Sequence, residues 1–314
     1  MMQYSPVLSG LMGVCVGDAL GVPVEFYSRS ECQDNPITTM VGYGTYNQPP
    51  GTWSDDSSLT FCLAESLCNG YNLHEIAKAF CKWIYEGYWT PYGNAFDIGG
   101  ATRRAISRLR EGVEPIAAGG TDIRDNGNGS LMRILPLAYC YKSLEFAELI
   151  KRVHDCSRLT HGHLRSQIAC GIYISIAVGL LQGLDIKTAY IEGLKAVEAI
   201  YTKPPFKSEL SEFERVWTGE IESLPEKAIA SDGYVVHTLE ASLWCLLNSS
   251  SYAEAVLTAV NLGSDTDTTG AVTGGLGGIY YGFEQIPSEW VEAIARREDI
   301  IDLANRLAKA TENS

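Results

Sequence analysis

The sequence predicts an all-α fold. Residues 73–84, LHEIAKAFCKWI, repeat apolar side chains at the spacing of one helix face. The same period recurs in residues 5–20, 143–154, 185–200 and 288–308. Alternating strand patterns are scarce, and the best candidate, residues 234–238, runs into the helical segment LEASLWCLL. Helices are therefore expected to form nearly all of the fold.

Hydroxyl residues indicate where several of these helices begin. Ser54, Thr268 and Ser288 stand at N-cap positions, and Pro287 comes just before another apolar stripe. Segments rich in glycine, asparagine and aspartate are predicted to be the loops where a site is built: residues 42–53, 91–100, 118–129 and 202–224. No low-complexity linker and no solenoid repeat is visible, so residues 1–314 are predicted to form a single domain.

The overall composition excludes several classes of protein. Of the 314 residues, 46% are hydrophobic and 20% are charged, which is too apolar for a disordered chain. The net charge of −14 argues against a large surface for nucleic acid or anionic membrane, because phosphate binding relies on clustered lysine and arginine. We therefore expect no nucleic-acid partner and no membrane partner.

Cysteine usage indicates the cellular compartment. The nine cysteines are scattered and contain no C-x-x-C pair, which is typical of small core residues in a reducing environment. Residues 1–9 lack the charged and apolar regions of a secretory signal. The apolar stretch of residues 168–181 is short for a membrane span and predicts a buried helix. A cytoplasmic location is expected.

Two glycine stripes suggest a close helix crossing. The stripes are Gly10, Gly13, Gly17 and Gly21 near the N-terminus, and Gly270, Gly274, Gly278 and Gly282 near the C-terminus. A glycine inside a helix costs about 1 kcal/mol relative to alanine, so such a stripe needs an offsetting gain in packing. We predict that the two helices cross with their backbones in contact; the alternative is a flexible glycine loop.

Acidic residues beside hydroxyl residues mark two predicted helix starts. The clusters are Ser54-Asp55-Asp56 and Asp265-Thr266-Asp267-Thr268. Either cluster alone is explained by the favourable interaction of aspartate with a helix N-terminus. Two clusters of the same content point to a metal site, because carboxylate and hydroxyl oxygens are the ligands that Mg²⁺, Mn²⁺ and Ca²⁺ prefer. We infer a pair of Mg²⁺ or Mn²⁺ ions.

Competing motif interpretations fit less well. An EF-hand loop that begins at Asp265 requires a bidentate glutamate at its twelfth position, where Leu276 stands. The D-x-D-x-T string also resembles the nucleophile motif of haloacid-dehalogenase-like phosphatases, but that motif normally follows a buried strand near the start of its domain. Residues 127–132, GNGSLM, lack the third glycine of a dinucleotide fingerprint, and no P-loop motif occurs.

Seven segments resemble the ADP-ribosylglycohydrolase family, especially the branch of the dinitrogenase-reductase-activating glycohydrolase. They occur in the family's order from Gly10 to about Gly282. The segments are GLMGVCVGDALGVPVEF (10–26), GTWSDDSSLT (51–60), FDIGGATRRA (96–105), NGNGSLMRILP (126–136), LTHGH (159–163), GYVVHTLEASLW (233–244) and GSDTDTTGAVTGGLGG (263–278). The resemblance implies a compact, orthogonal multi-helix fold and hydrolysis of the bond that joins ADP-ribose to a modified side chain.

The resemblance also implies a two-metal centre of Mg²⁺ or Mn²⁺. The matching ligand positions are Ser54, Asp55, Asp56, Asp265, Asp267 and Thr268. Glu25 matches a family glutamate that gates the metals or transfers a proton; a partly exposed loop carboxylate without such a role is the alternative. Asp55 or Asp56 is a further candidate base. Two positions depart from the usual pattern: Ser54 replaces a threonine, and Ser264 replaces a glycine.

Further positions are candidate substrate contacts. Asp97 is a partner for a guanidinium group, which favours arginine-linked ADP-ribose; helix capping is the alternative. The glycine-rich turn is predicted to present backbone N–H groups to the pyrophosphate through Gly127, Asn128, Gly129, Ser130 and Met132. By resemblance, Tyr234 offers a face to adenine and His161 lies near the distal part of the substrate. A structural core role is the alternative for both residues.

The expected function is metal-dependent removal of ADP-ribose from a modified arginine on a protein, with ADP-ribose as the product. One alternative keeps the metals but changes the bond, to O-linked serine or to a small-molecule or nucleotide adduct. Another is a non-catalytic protein on the same scaffold that binds ADP-ribose or confers immunity.

Overall fold

Helices form nearly all regular structure in residues 5–312, which are the residues that the computed structural model describes. The α-helices are α1 (Pro6–Gly21), α2 (Arg29–Asp34), α3 (Asp55–Leu67), α4 (Leu73–Glu86), α5 (Gly100–Arg110), α6 (Pro115–Ala118), α7 (Phe146–Arg158), α8 (Leu164–Leu181), α9 (Ile186–Tyr201), α10 (Glu214–Trp217), α11 (Val235–Leu247), α12 (Tyr252–Asn261), α13 (Thr266–Tyr281), α14 (Ser288–Ala293) and α15 (Arg297–Glu312). Short 3₁₀ turns cover Val22–Val24, Ile123–Asp125, Leu135–Cys140, Phe206–Phe213, Glu220–Ser223, Glu226–Ala228 and Phe283–Gln285. Within residues 5–312 no strand forms, so the all-α prediction is confirmed.

The two glycine-rich helices α1 and α13 cross with their backbones in contact, as predicted. A Cβ atom on Gly13 would lie 2.2 Å from the carbonyl oxygen of Gly274, and one on Gly21 would lie 2.3 Å from Cα of Asp267. Only glycine permits so close an approach. The crossing therefore brings the end of α1 against the acidic start of α13. Gly282 takes no part in it, because its φ of 87° ends the helix.

The prediction of one helical segment over residues 288–308 is wrong in one respect, because the structure has two helices there, α14 and α15. The backbone N–H of Ala295 donates to the Gly51 carbonyl at 3.0 Å, and Trp53 Nε1 donates to the Ala295 carbonyl at 2.9 Å. Arg296 takes a left-handed φ of 56°. The break thus anchors residues 51–53, which lead directly into α3.

The predicted helix starts are confirmed in part. The Ser54 hydroxyl caps α3 by accepting from the Asp56 N–H at 3.3 Å. Thr268 and Ser288 are not N-caps, because α13 begins at Thr266 after Asp265 and α14 begins at Ser288 after Pro287. The Thr266 hydroxyl donates to the Gly21 carbonyl at 2.8 Å, which fixes the helix start three residues earlier than an N-cap at Thr268 predicts.

One predicted loop is also wrong. Residues 202–224 contain short helical turns, because Phe213, Val216 and Ile221 bury their apolar side chains in the core. Residues 42–53 and 91–99 are irregular as predicted, and residues 118–129 hold only the turn Ile123–Asp125.

Among the described residues 5–312, two helical segments are long and apolar enough to cross a membrane by length and composition alone. They are Pro6–Val24 and Leu164–Leu181, and 100% and 83% of their apolar windows are buried inside the fold. The second contains residues 168–181, so the predicted buried helix is confirmed.

Candidate active site

The two acidic clusters predicted from the sequence meet at the crossing of α1 and α13. Single carboxylate oxygens of Asp18, Asp56 and Asp267 all lie within 4.8 Å of one another. A second group with the same spacing contains Glu25, Asp265 and Asp267. Because Asp267 belongs to both groups, the arrangement offers two neighbouring cation positions that share one carboxylate.

Hydroxyl groups complete the cluster at the starts of α3 and α13. The Thr268 hydroxyl donates to Asp56 Oδ1 at 3.2 Å, and the Thr268 N–H donates to Asp267 Oδ1 at 2.8 Å. Ser54 is buried beside Asp56. Asp55, the first residue of α3, lines the cavity described below.

Asp18 is a member of the cluster that the sequence analysis missed. It lies in the apolar helix α1 and is fully buried. Its carboxylate accepts the Ser54 N–H at 2.9 Å, the Ser57 N–H at 3.0 Å and the Ser57 hydroxyl at 2.5 Å. Asp18 therefore fixes the start of α3 relative to α1. A lone acid inside an otherwise apolar, glycine-striped helix was the available signal.

The carboxylates fit divalent cations. Glu25 Oε2, Asp56 Oδ2 and Asp267 Oδ2 are buried and have no hydrogen-bond partner within the described residues. Buried hydrogen-bond acceptors normally have a partner, and carboxylate oxygens are ligands that Mg²⁺ and Mn²⁺ prefer. Burial, and after it the neighbouring carboxylates, raises the pKa values of Asp55, Asp56 and Asp267 well above their usual range. A bound cation would both contact the unpartnered oxygens and favour the ionised carboxylates.

A cavity of ≈570 Å³ opens directly above the cluster. Most of the predicted catalytic, metal-ligating and substrate-binding residues line it: Glu25, Asp55, Asp97, Gly127, Asn128, Gly129, Met132, His161, Asp265 and Thr268. Ser54, Asp56 and Asp267 are buried beside this lining. Arg104 and Arg124, which the sequence analysis did not select, also line the cavity and add positive charge.

The glycine-rich turn of residues 126–130 is held between the acidic cluster and His161. Asn128 Nδ2 donates to Asp265 Oδ2 at 2.8 Å and to the Thr238 hydroxyl at 2.9 Å. A Cβ atom on Gly129 would lie 2.8 Å from the His161 ring, so a side chain there would displace the histidine. Arg133, fully buried, donates to the Gly129 carbonyl and stacks its guanidinium 4.8 Å from the centre of the Phe80 ring.

His161 faces the cavity as a neutral ring. Burial, with smaller effects from Arg133 and Arg104, lowers the pKa of His161 to about 3. One ring nitrogen pairs with the Thr160 hydroxyl at 2.7 Å. The ring is therefore uncharged at neutral pH and is suited to hydrogen bonding with a substrate rather than to pairing with a phosphate charge.

Two predicted substrate-binding residues lie outside the lining. The Ser130 hydroxyl is buried and accepts from the Ser157 hydroxyl at 2.9 Å. The Tyr234 hydroxyl accepts from Arg165 at 3.0 Å and donates to Glu212 at 3.3 Å. Tyr234 adjoins Gly233, which does line the cavity, so its contact with adenine stays a prediction.

Asp97 faces the cavity from the irregular segment before α5. It does not cap that helix, because Gly99 occupies the N-cap without a side-chain bond. Its Oδ1 accepts from the Tyr46 hydroxyl at 2.6 Å. Its backbone has a left-handed φ of 53°, and the cavity residue Phe26 and the neighbouring Ser264 share that conformation. Such conformations cost energy for residues with a Cβ and cluster at functional sites.

Comparison with known proteins identifies the family of the chain. The family model described as ADP-ribosylglycohydrolase matches residues 3–314. The chain belongs to the ADP-ribosylglycohydrolase family. It is 33% identical over 300 residues to the ADP-ribosylarginine hydrolase Tri1 of Pseudomonas putida (strain GB-1), covering 95% of this chain and 76% of that protein.

Two further comparisons support the family assignment. The chain is 29% identical over 300 residues to the ADP-ribosyl-[dinitrogen reductase] glycohydrolase of Rhodospirillum rubrum, covering 93% of this chain and 90% of the relative. A solved structure described as an ADP-ribosylglycohydrolase-related protein complex superimposes with a TM-score of 0.81 at 31% identity, covering 98% of both chains. The predicted family and its helical fold are confirmed.

Proposed function

We propose that this ADP-ribosylglycohydrolase is a metal-dependent enzyme that hydrolyses the N-glycosidic bond between ADP-ribose and an arginine side chain of a modified protein. The observation that carries the proposal is the convergence of Asp56 and Asp267 beneath the cavity, each with a buried oxygen that lacks a partner. The relative from Pseudomonas putida, named for ADP-ribosylarginine, supports the choice of bond.

The proposed cofactors are two Mg²⁺ or Mn²⁺ ions. The residues that would hold them are Ser54, Asp55, Asp56, Asp265, Asp267 and Thr268, with Asp18 and Glu25 close by. When bound, the ions would polarise the ribose hydroxyls and an attacking water.

Glu25 and Asp55 are the proposed proton-transfer residues. Four carboxylates line the cavity, and two of them accept hydrogen bonds from other side chains. Asp265 accepts from Asn128, and Asp97 accepts from Tyr46. Glu25 keeps a buried oxygen without a partner, and Asp55 lies at the first position of α3. Cleavage requires a group that removes a proton from water and a group that supports the departing nitrogen.

The remaining lining residues are proposed to orient the substrate. Asp97 accepts hydrogen bonds from the guanidinium of the modified arginine. Gly127 and Gly129 line the cavity, and their backbone N–H groups are proposed to bind the pyrophosphate. His161 contacts the distal part of the substrate as a neutral hydrogen-bonding ring.

The test is a release assay on a protein that carries arginine-linked ADP-ribose, with Mg²⁺, with Mn²⁺ and with a chelator. We expect metal-dependent appearance of free ADP-ribose, and its loss in Asp267→Asn but not in the matched surface variant Asp299→Asn. Release from a serine-linked substrate alone would support the O-linked alternative. Tight ADP-ribose binding without turnover would indicate a binding protein.

We also propose a reducing, cytoplasmic location. All nine cysteines are free, and most are buried among apolar side chains. Free buried thiols are typical of proteins that do not pass through an oxidising compartment. Fractionation of cells that produce the tagged protein tests this location.

A further inference from the structure

Tyr46 connects two walls of the cavity. It lies in the irregular segment between α2 and α3, and its hydroxyl donates to Asp97 Oδ1 at 2.6 Å. Its ring packs on Phe96, with 5.1 Å between the ring centres. The sequence analysis did not select Tyr46.

The same segment is fixed to the chain around Glu25. The Thr45 hydroxyl donates to the Glu25 carbonyl at 2.7 Å, and the Thr45 N–H donates to the Pro23 carbonyl at 2.9 Å. A Cβ atom on Gly44 would lie 1.7 Å from that same carbonyl oxygen, so the two backbones are in contact. Residues 44–46 therefore join the Glu25 wall to the Asp97 wall.

Asp97 needs such support. Its left-handed backbone is unfavourable for a residue with a Cβ, and its segment has no regular structure to hold it. Burial, and then the carboxylates of Asp97 and Glu25, raise the pKa of the Tyr46 phenol. The phenol thus stays protonated and keeps donating. With Oδ1 held by the Tyr46 hydroxyl, the Asp97 carboxylate has a defined orientation in the cavity wall.

We propose that Tyr46 is a positioning residue that orients Asp97 to receive the guanidinium of the modified arginine. The inference rests on the proposed function and extends it to a residue that does not itself contact the substrate but orients Asp97, which binds the departing guanidinium. A carboxylate fixed in one orientation binds a planar guanidinium better than one that must be ordered on binding.

The experiment compares Tyr46→Phe with Tyr43→Phe. Tyr46→Phe keeps the ring on Phe96 and removes only the hydroxyl. Tyr43 lies in the same segment with an exposed side chain and provides the matched control. Each variant is assayed with metal for kcat/KM on arginine-linked ADP-ribose and for the Kd of free ADP-ribose, which lacks the guanidinium.

We expect Tyr46→Phe to lower kcat/KM by about tenfold or more, the usual effect of losing a hydrogen bond to a charged group. The Kd of ADP-ribose is expected to stay within about twofold of wild type, because that ligand lacks the guanidinium that Asp97 is proposed to bind. In an Asp97→Asn background, Tyr46→Phe is expected to cause little further loss, because the two side chains act as one unit.

Three results in the variants would overturn the proposal. Unchanged kcat/KM in Tyr46→Phe shows that the hydroxyl does not support turnover. An equal loss of kcat/KM and of ADP-ribose affinity indicates a general structural role. Full additivity with Asp97→Asn shows that the two residues act independently. A wild-type protein that binds metal but releases nothing from arginine-linked substrate overturns the proposed function, and this inference with it.

Discussion

Thr268 donates a hydrogen bond to Asp56 although the two residues are 212 positions apart in the chain. The contact joins the first turn of α3 to the first turn of α13, and it exists because α1 and α13 cross at glycines. Helix packing thereby places two acidic helix starts side by side. The glycines of α13 that follow Asp265 and Asp267 allow this crossing, because without side chains the two helices approach closely enough for the carboxylates to meet.

Gly274→Ala is expected to destabilise the protein by about 3 kcal/mol or more, because its Cβ would lie 2.2 Å from the Gly13 carbonyl oxygen and the backbone has no room to relax. Gly277→Ala on the same helix is the control. Its Cβ would make only ordinary van der Waals contacts, the nearest at 3.4 Å. Gly277→Ala is therefore expected to raise the free energy of unfolding by about 1 kcal/mol, because alanine has the higher helix propensity. Urea unfolding of both variants measures the difference. Equal stabilities would refute the close crossing.

Asp55→Ala and Asp267→Ala are each expected to abolish turnover with little loss of fold. Both carboxylates are buried in a region of like charge, so removing either one relieves repulsion in the metal-free protein. Turnover and thermal unfolding, both measured with and without Mn²⁺, separate activity from stability. A variant with a near-normal rate would remove that residue from the mechanism.

The metal-free protein is expected to lose stability as the pH rises from 6.5 to 8. Burial, and then the charge of Asp97, raises the pKa of Glu25 to about 9, and burial raises that of Asp18 to about 7. The folded state therefore binds more protons than the unfolded state in this window, and the free energy of unfolding falls by about 1 kcal/mol or more.

This pH dependence has two controls. Glu25→Gln is expected to show a smaller fall, because it removes one of the titrating groups. Saturating Mg²⁺ is expected to oppose the fall, because a cation favours the ionised carboxylates. Urea titrations in a chelator at pH 6.5 and pH 8 give the slope, and a rise in stability over this interval would contradict the assignment.

Ser264→Gly is expected to raise the free energy of unfolding by up to about 1 kcal/mol, because Ser264 has a φ of 66° that glycine adopts without steric cost. Its backbone N–H and carbonyl bond to Tyr27 and Phe26, each at 2.7 Å, so the conformation is fixed. Ser264→Ala keeps the Cβ and should gain nothing. Chemical denaturation of the pair measures the effect, and an equal result for both would show that the backbone is unstrained.

Local patterns were sufficient for much of the fold and for the acidic residues of the cluster. The four-residue glycine spacing and the acid–hydroxyl pairs at helix starts are short-range signals, and the helices they predicted form. The break at residues 294–296 was missed because it depends on hydrogen bonds to Gly51 and Trp53, far away in the chain. The apolar period simply continues through it.

Residues whose role depends on a long-range contact were harder to find. Asp18 is one acid in an apolar helix, and Tyr46 is one of 17 tyrosines, in a segment without periodicity. Their partners, Ser57 and Asp97, become visible only when the chain is folded. The single domain over residues 1–314 and the individual substrate contacts stay predictions.

The central claim is that two distant segments share a pair of divalent ions. Electron paramagnetic resonance of Mn²⁺ added to metal-free protein tests it most directly. We predict two tightly bound ions per chain with mutually coupled signals, and loss of the coupling in Asp267→Asn, since Asp267 belongs to both carboxylate groups. Failure to bind Mn²⁺, or binding in Asp267→Asn that equals the wild type, would contradict the account.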